Sequence, residues 1–184
     1  NTVMFSEPYR PHAWPVKYRY ALPFDVVSKE VDGVTLLVTT TGPAYLFTGT
    51  HPSSMTFEPV QNTQAGVKSE VTYPSEEGPR ITGPSRAICR TPSGVCYATH
   101  DGLVVTSGGR SILLTEQLFT KDEWQLRYGA KLGRMRLAYA NGKILAWFHH
   151  SAEVGFIIDL DGKSLTEWQP GLLINSARQL PGSQ

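Results

Sequence analysis

Gly94-Val-Cys-Tyr-Ala-Thr-His-Asp-Gly-Leu-Val-Val-Thr-Ser-Gly-Gly109 reads as two short apolar runs joined by His100-Asp101-Gly102. Asp-Gly favours the tight reversal of a two-stranded hairpin, and the runs on either side have the length and β-branched content of strands. The plan recurs at Gly33-Val-Thr-Leu-Leu-Val-Thr-Thr-Thr-Gly-Pro-Ala-Tyr-Leu-Phe-Thr-Gly49. A looser version is Gly142-Lys-Ile-Leu-Ala-Trp-Phe-His-His-Ser-Ala-Glu-Val-Gly-Phe-Ile-Ile-Asp-Leu-Asp-Gly162. A hairpin of this size cannot bury its apolar face alone and has to stack on others like it. The expected fold is therefore all-β: β-propeller-like blades of antiparallel hairpins, complete or partial, within a single domain over 1–184. Such folds bind and scaffold as often as they catalyse, so the repeat does not name a function.

The rest of the chain is read outward from these hairpins. Residues 1–24 are dense in proline and aromatic rings, from Phe5 through Pro8, Tyr9, Pro11, Trp14 and Pro15 to Tyr18, Tyr20, Pro23 and Phe24. Proline fixes φ and lacks a donor, so this stretch is expected to be an extended segment laid over a sheet. Strands are expected at Val34–Val38 and Tyr45–Thr48, with Gly42-Pro43 in their turn. Residues 50–66 read as an extended connection and 68–86 as the most loop-rich part. Further strands are expected at Ala87–Arg90, Val95–Thr99, Leu103–Thr106, Ile112–Leu114, Leu137–Tyr139, Ile144–His149, Gly155–Asp159 and Leu165–Trp168. Leu172-Leu173-Ile174 reads as a final strand. Thr120-Lys-Asp-Glu123 has capping-box spacing, so one short helix is expected near 115–127.

Composition narrows the classes. With 184 residues, 40% hydrophobic and 18% charged, the chain suits a globular protein and not a disordered one. The formal charge of +1 does not suggest a protein that coats nucleic acid. No apolar run approaches the roughly 20 residues of a membrane helix. Val3-Met-Phe5 reads as a strand already in progress, which suggests a piece of a longer protein. Cys89 and Cys96 flank Thr91-Pro-Ser-Gly94, a spacing that places them opposite each other across a hairpin. They are read as two buried thiols acting as small apolar residues, with a bridge as the alternative.

Candidate chemistry is sparse. His149-His150 falls on an expected strand, where neighbouring side chains point to opposite faces and cannot share a metal. Asp159-Leu-Asp161-Gly162 opens like a calcium loop, but Lys163 stands where an oxygen ligand belongs. Gly108-Gly109-Arg110 lacks the lysine of a phosphate loop, and no G-x-S-x-G elbow is present. No catalytic residue, metal or cofactor is assigned. Two surfaces remain. Tyr9, Arg10, His12 and Trp14 have the composition of a binding hot spot, though the same rings would equally serve to cover a sheet edge. Arg127, Lys131, Arg134 and Arg136 form a basic stretch, suited to DNA or an acidic partner if it is not simply a solvated loop.

Four segments carry a resemblance: Phe5-Ser-Glu-Pro-Tyr-Arg-Pro-His-Ala-Trp-Pro15, Gly49-Thr-His-Pro-Ser-Ser-Met55, Tyr97-Ala-Thr-His-Asp-Gly-Leu-Val104 and Thr115-Glu-Gln-Leu-Phe-Thr-Lys-Asp-Glu-Trp124. They resemble a family of tailed-bacteriophage and prophage virion proteins, whose blades carry F-S-x-P-x-R-P-x-x-W-P, G-x-x-P-x-x-M and Y-A-S-x-D-G-L-V elements. Thr99 stands here where that pattern has serine, and the chain is shorter than a whole nozzle protein. The resemblance implies a non-enzymatic structural protein of the tail nozzle or tail-tube type at the head–tail junction. It would form a homo-oligomeric ring around the DNA exit channel, contacting other tail or portal-side proteins and, transiently, DNA. The implied location is the virion tail, assembled in the host cytoplasm. The alternatives are a recognition module for a host-surface glycan or protein, and a propeller-scaffold glycosidase or lyase using acids such as Glu7, Asp101 or Asp159.

Overall fold

Each of the three hairpins quoted above is the centre of a four-stranded antiparallel sheet whose strands follow one another in sequence order. The structure, a computed structural model, describes residues 1–64, 72–75, 78–82, 86–149, 151–171 and 174. A short pair, β1 (Thr2–Met4) with β2 (Arg19–Ala21), opens the chain. The first sheet is β3 (Val26–Asp32), β4 (Thr35–Thr40), β5 (Pro43–Thr48) and β6 (Thr56–Gln64). A two-stranded ribbon follows, β7 (Thr72–Ser75) with β8 (Gly78–Thr82). The second sheet is β9 (Ile88–Thr91), β10 (Gly94–Thr99), β11 (Gly102–Ser107) and β12 (Arg110–Leu113). Helix α1 (Lys121–Tyr128) and a 3₁₀ turn at Gly129–Arg134 lead to the third sheet: β13 (Met135–Ala140), β14 (Lys143–Phe148), β15 (Gly155–Asp159) and β16 (Ser164–Trp168). The all-β class is therefore as expected, with one short α-helix.

Period-two alternation sends the side chains of the first and second sheets into two different cores each, and those of the third into one. In the first sheet Val38, Tyr45 and Phe47 pack with Val3 and Leu22, and Phe5 and Tyr20 close over them. The two ends of the proline-aromatic segment are thus laid over a sheet, as the sequence suggested, whereas its middle is a compact loop and not extended. From that sheet's opposite face Leu37, Ala44 and Val60 meet Val95, Tyr97 and Val104 of the second. The second sheet's other face, with Cys96, Ala98, Leu103 and Val105, joins Trp124, Tyr128, Ile144, Phe148 and Phe156 in the largest core. The central hairpin is consequently buried on both sides: every residue of β10, and all of β11 but its last, is buried. The first strands of the three sheets also lie side by side, β3 against β9 and β9 against β13. A parallel bridge between Arg86 and Arg136 ties the latter two together.

The turns share a device. Thr40 Oγ1 accepts from the Gly42 N–H at 3.0 Å and donates to the Pro43 carbonyl at 2.6 Å. Thr99 Oγ1 repeats this with the Asp101 N–H at 3.2 Å and the Gly102 carbonyl at 2.8 Å. Thr91 donates likewise to the Gly94 carbonyl at 2.8 Å. All three threonines are buried, and their hydroxyls satisfy backbone groups that a turn would otherwise leave unpaired inside the stack.

Several boundaries differ from the sequence reading. The connection at 50–66 contains β6, and the loop-rich 68–86 contains β7 and β8. Strand β3 was not anticipated, because only Val27 of its residues is buried and charged residues interrupt its pattern. The helix begins at Lys121, while Thr115 to Phe119 form hydrogen-bonded turns. Short 3₁₀ turns also occur at Val16–Tyr18 and Pro52–Ser54. Leu172 and Leu173 lie outside the described residues; the Ile174 carbonyl accepts from Trp147 Nε1 at 3.0 Å. Cys89 and Cys96 pair in the expected register and are unbridged. The bond from Ala98 N–H to the Ala87 carbonyl, two residues along, makes theirs a hydrogen-bonded pair, the type in which side chains stand farther apart. Hydrogen bonding to Cys89, then burial, pushes the Cys96 thiol well above its ordinary pKa. Among the described residues no helix is long and apolar enough to cross a membrane.

Candidate interaction surfaces

Backbone hydrogen bonds fold the first candidate segment into a compact loop. Glu7 N–H donates to the Ala13 carbonyl at 2.8 Å, Arg10 N–H to Glu7 at 3.0 Å and Ala13 N–H to Arg10 at 2.9 Å. Tyr18 anchors it from below: buried at 2%, it donates through its hydroxyl to Glu7 Oε1 at 3.3 Å and packs edge-on against His51. The tip of this loop carries Tyr9, held at φ 60° and fully exposed. Arg10 and His12 are exposed and Trp14 is 54% exposed. Of the two readings open for these rings, covering a sheet edge belongs to others: Phe5 and Tyr20 face Phe47, while Tyr9 and Trp14 face outward. Lys17 and Arg19, farther along the same segment, are also exposed and were not singled out from the sequence. The signal that would have found them is the lack of any Asp or Glu from Pro8 to Phe24.

The basic stretch is not one surface. Arg136 was grouped with the surface cations, yet it is 1% exposed. It lies on β13 opposite Trp147, and its Nη1 donates to the Met135 carbonyl at 3.0 Å. Strand alternation turns Met135 and Leu137 into the main core and Arg136 to the other face, which is covered as well. Its guanidinium therefore cannot meet a phosphate backbone. Lys131 and Arg134 sit on the 3₁₀ turn, and both reach Glu153, at 3.1 and 3.6 Å. Arg127, at the end of α1, pairs with Glu167 of β16 at 3.4 Å. These pairs are between about one-third and three-fifths exposed, and each contributes at most about 1 kcal/mol to stability. Their effect on a polyanion is larger, because each carboxylate lowers the positive field offered to it.

The remaining polar groups hold the fold. Thr120 and Glu123 form the predicted capping box, with Glu123 N–H to Thr120 Oγ1 at 3.2 Å and Thr120 N–H to Glu123 Oε2 at 2.8 Å. The second of these bonds holds the Glu123 carboxyl below its ordinary pKa. The helix clamps the β10–β11 turn: Trp124 Nε1 donates to the Thr99 carbonyl at 3.2 Å, Lys121 pairs with Asp101 at 3.0 Å, and Gln125 bonds the His100 carbonyl. Burial, then the charge of Glu167, pushes the Tyr128 hydroxyl up. Asp159 caps its own turn, accepting from the Asp161 and Gly162 N–H groups at 3.0 Å and pairing with Lys143. The Gly162 bond first, then Lys143, lowers its pKa to about 2. His149 is buried beyond the end of β14, and His150 lies outside the described residues. Glu7, Asp101 and Asp159, the acids considered for glycosidase chemistry, each have one of these structural partners. Among the described residues no three His, Cys, Asp or Glu gather to hold a metal.

One cleft of about 180 Å³ opens between Ile112, Leu114 and Leu118 on one side and Ile158, Leu160 and Lys163 on the other. It is smaller than the usual range for small-molecule sites, roughly 300 Å³ upward. No family model and no curated protein matches this sequence.

Proposed function

We propose that the chain is a structural component of a bacteriophage tail or head–tail junction, of the nozzle or tail-tube type. It acts by ring assembly around the DNA exit channel and by contacts with tail and portal-side proteins, without catalysis, in the virion tail after assembly in the host cytoplasm. The observation that carries this reading is the arrangement of the quoted hairpins. Each is the centre of a sequence-ordered four-stranded meander, and the first strands β3, β9 and β13 lie side by side. Neighbouring blades of a propeller are four-stranded sheets set around an axis, so this arrangement supports the propeller-type module that the resemblance implies. The ion pairs are in keeping with it. Glu153 offsets two of the four cations of the basic stretch and Glu167 a third, which suits a wall past which DNA slides without being gripped.

The test is the mass of the protein in solution by light scattering, with negative-stain electron microscopy of the same sample. Ring-sized particles, or rings formed on adding purified tail proteins, are the expected result. A monomer under both conditions would overturn ring assembly. A second reading, recognition of a host-surface glycan or protein, is favoured by the outward-facing Tyr9 and Trp14. Saturable binding to host envelope polysaccharide by a monomeric protein is the outcome that would put it first.

A further inference from the structure

We infer that the loop over residues 7–19 is a preformed docking surface for apolar side chains bordered by carboxylates on a partner protein. Charge is the first ground. The chain as a whole carries +1, yet the stretch from Pro8 to Phe24 holds Arg10, Lys17 and Arg19 and no carboxylate. All three cations are exposed. Glu7, the one carboxylate within residues 7–19, accepts from Tyr18. Opposite charge on the partner is what such a segregated surface selects, through both encounter rate and rejection of cationic surfaces.

Shape is the second ground. Tyr9 occupies the left-handed region at φ 60°, where a non-glycine residue is strained by roughly 1 kcal/mol or more, and its ring is fully exposed. Among the described residues nothing repays that strain by burying the ring. The loop beneath it is over-determined by three backbone hydrogen bonds, Pro8, Pro11 and Pro15, and the Tyr18 anchor. A rigid loop loses little conformational freedom on docking. A projecting ring next to Arg10, in a loop that also exposes Trp14, has the composition of an interface hot spot. A nucleic-acid backbone or a polysaccharide chain supplies anions without the apolar and aromatic side chains that a polypeptide sets beside its carboxylates. The occupant is accordingly protein: apolar side chains bordered by aspartate and glutamate, which a glutamate–tyrosine polypeptide supplies in their simplest form. This inference rests on the loop alone and holds whether or not the chain forms rings.

The experiment uses three probes at low and physiological salt: a glutamate–tyrosine copolymer, a thymidine oligonucleotide and chondroitin sulfate. Binding is measured to the wild-type protein, to R10E/K17E/R19E and to Y9G. The copolymer is expected to bind most tightly and to lose about tenfold or more in affinity in each variant. Y9G relieves the positive φ, so its thermal midpoint is expected to be unchanged or higher while its binding falls. A purely structural tyrosine would instead give a lower midpoint and unchanged binding. If the triple variant does not fold, K17E, whose ammonium lies over the Tyr18 ring, carries the charge test. Tighter binding of the oligonucleotide or of chondroitin sulfate through these same residues would overturn the protein assignment. Copolymer binding that is absent, or that is unchanged in the variants, would overturn the docking surface itself.

Discussion

Replacing Trp124 by alanine tests the claim that α1 is a structural clamp. The side chain is fully buried, with ring centroids 4.9 Å from Tyr128, 6.0 Å from Phe156 and 6.1 Å from Phe119. Truncating a buried tryptophan costs about 3–5 kcal/mol through lost transfer energy and the cavity left behind. The Nε1 bond to the Thr99 carbonyl contributes about 1 kcal/mol more. Edge and tilted ring contacts overlap with these terms, so a total loss of about 5 kcal/mol is expected. With a urea dependence near 2 kcal/mol/M, that lowers the midpoint by about 2.5 M. It is also a large part of the 5–15 kcal/mol that typical domains possess. The assay is urea unfolding followed by circular dichroism, with W14A as the control. Trp14 is more than half exposed, and its replacement should change stability by about 0.5 kcal/mol at most. A W124A loss below about 1.5 kcal/mol, or equal losses in the two variants, would refute the packing argument.

Three further outcomes follow from the geometry. Gly102 has φ 146°, and a Cβ there would collide with Thr115 Oγ1, the acceptor of the Leu103 N–H, and lie 2.8 Å from Leu113 Cδ1. G102A should therefore lose about 2–4 kcal/mol in urea unfolding, against about 1 kcal/mol for G33A, whose Cβ would meet nothing. Asp159 titrates near 2 when folded and near 3.8 when free, so its carboxylate stabilises the protein above about pH 4. That contribution is lost as pH falls from about 4 to about 2, and D159N should show a shallower acid limb over this window in thermal melts. Removing Glu153 frees Lys131 and Arg134, so E153A should hold duplex DNA more tightly at low salt. Its log affinity against log salt should steepen by up to about 2, and an unchanged slope would show that the two cations do not face a polyanion.

Much of the fold was legible because its signals are local. Asp101-Gly102 marked the turn, the Cys89–Cys96 register followed from Thr91-Pro-Ser-Gly94, and Thr120 with Glu123 marked the helix start. Strands β3 and β6 were harder to see because they are edge strands. They are specified by the ladders to β4 and β5 more than by their own apolar pattern. The site was legible in part for a related reason. Composition finds Tyr9 and Trp14 and cannot tell an outward ring from an inward one, as Tyr18 and Tyr20 in the same segment illustrate. Arg136 was misplaced because a basic run was read along the chain, whereas β13 distributes alternate residues to opposite faces. Glu153, which offsets two of those cations, is distant in sequence, and only tertiary structure brings it to them.

The double-sided burial of the β10–β11 hairpin has a consequence for how the molecule comes apart. Val104 and Val105 are neighbours in the chain, yet one supports the core shared with the first sheet and the other the core shared with the third. Neither outer layer can peel away without uncovering one face of the same hairpin. The amides of Val95 to Thr99 and of Leu103 to Thr106 should then exchange with deuterium only through global opening, and unfolding should proceed as one cooperative event and not layer by layer. A stack wired in this way spreads a mechanical load applied at either end into its middle.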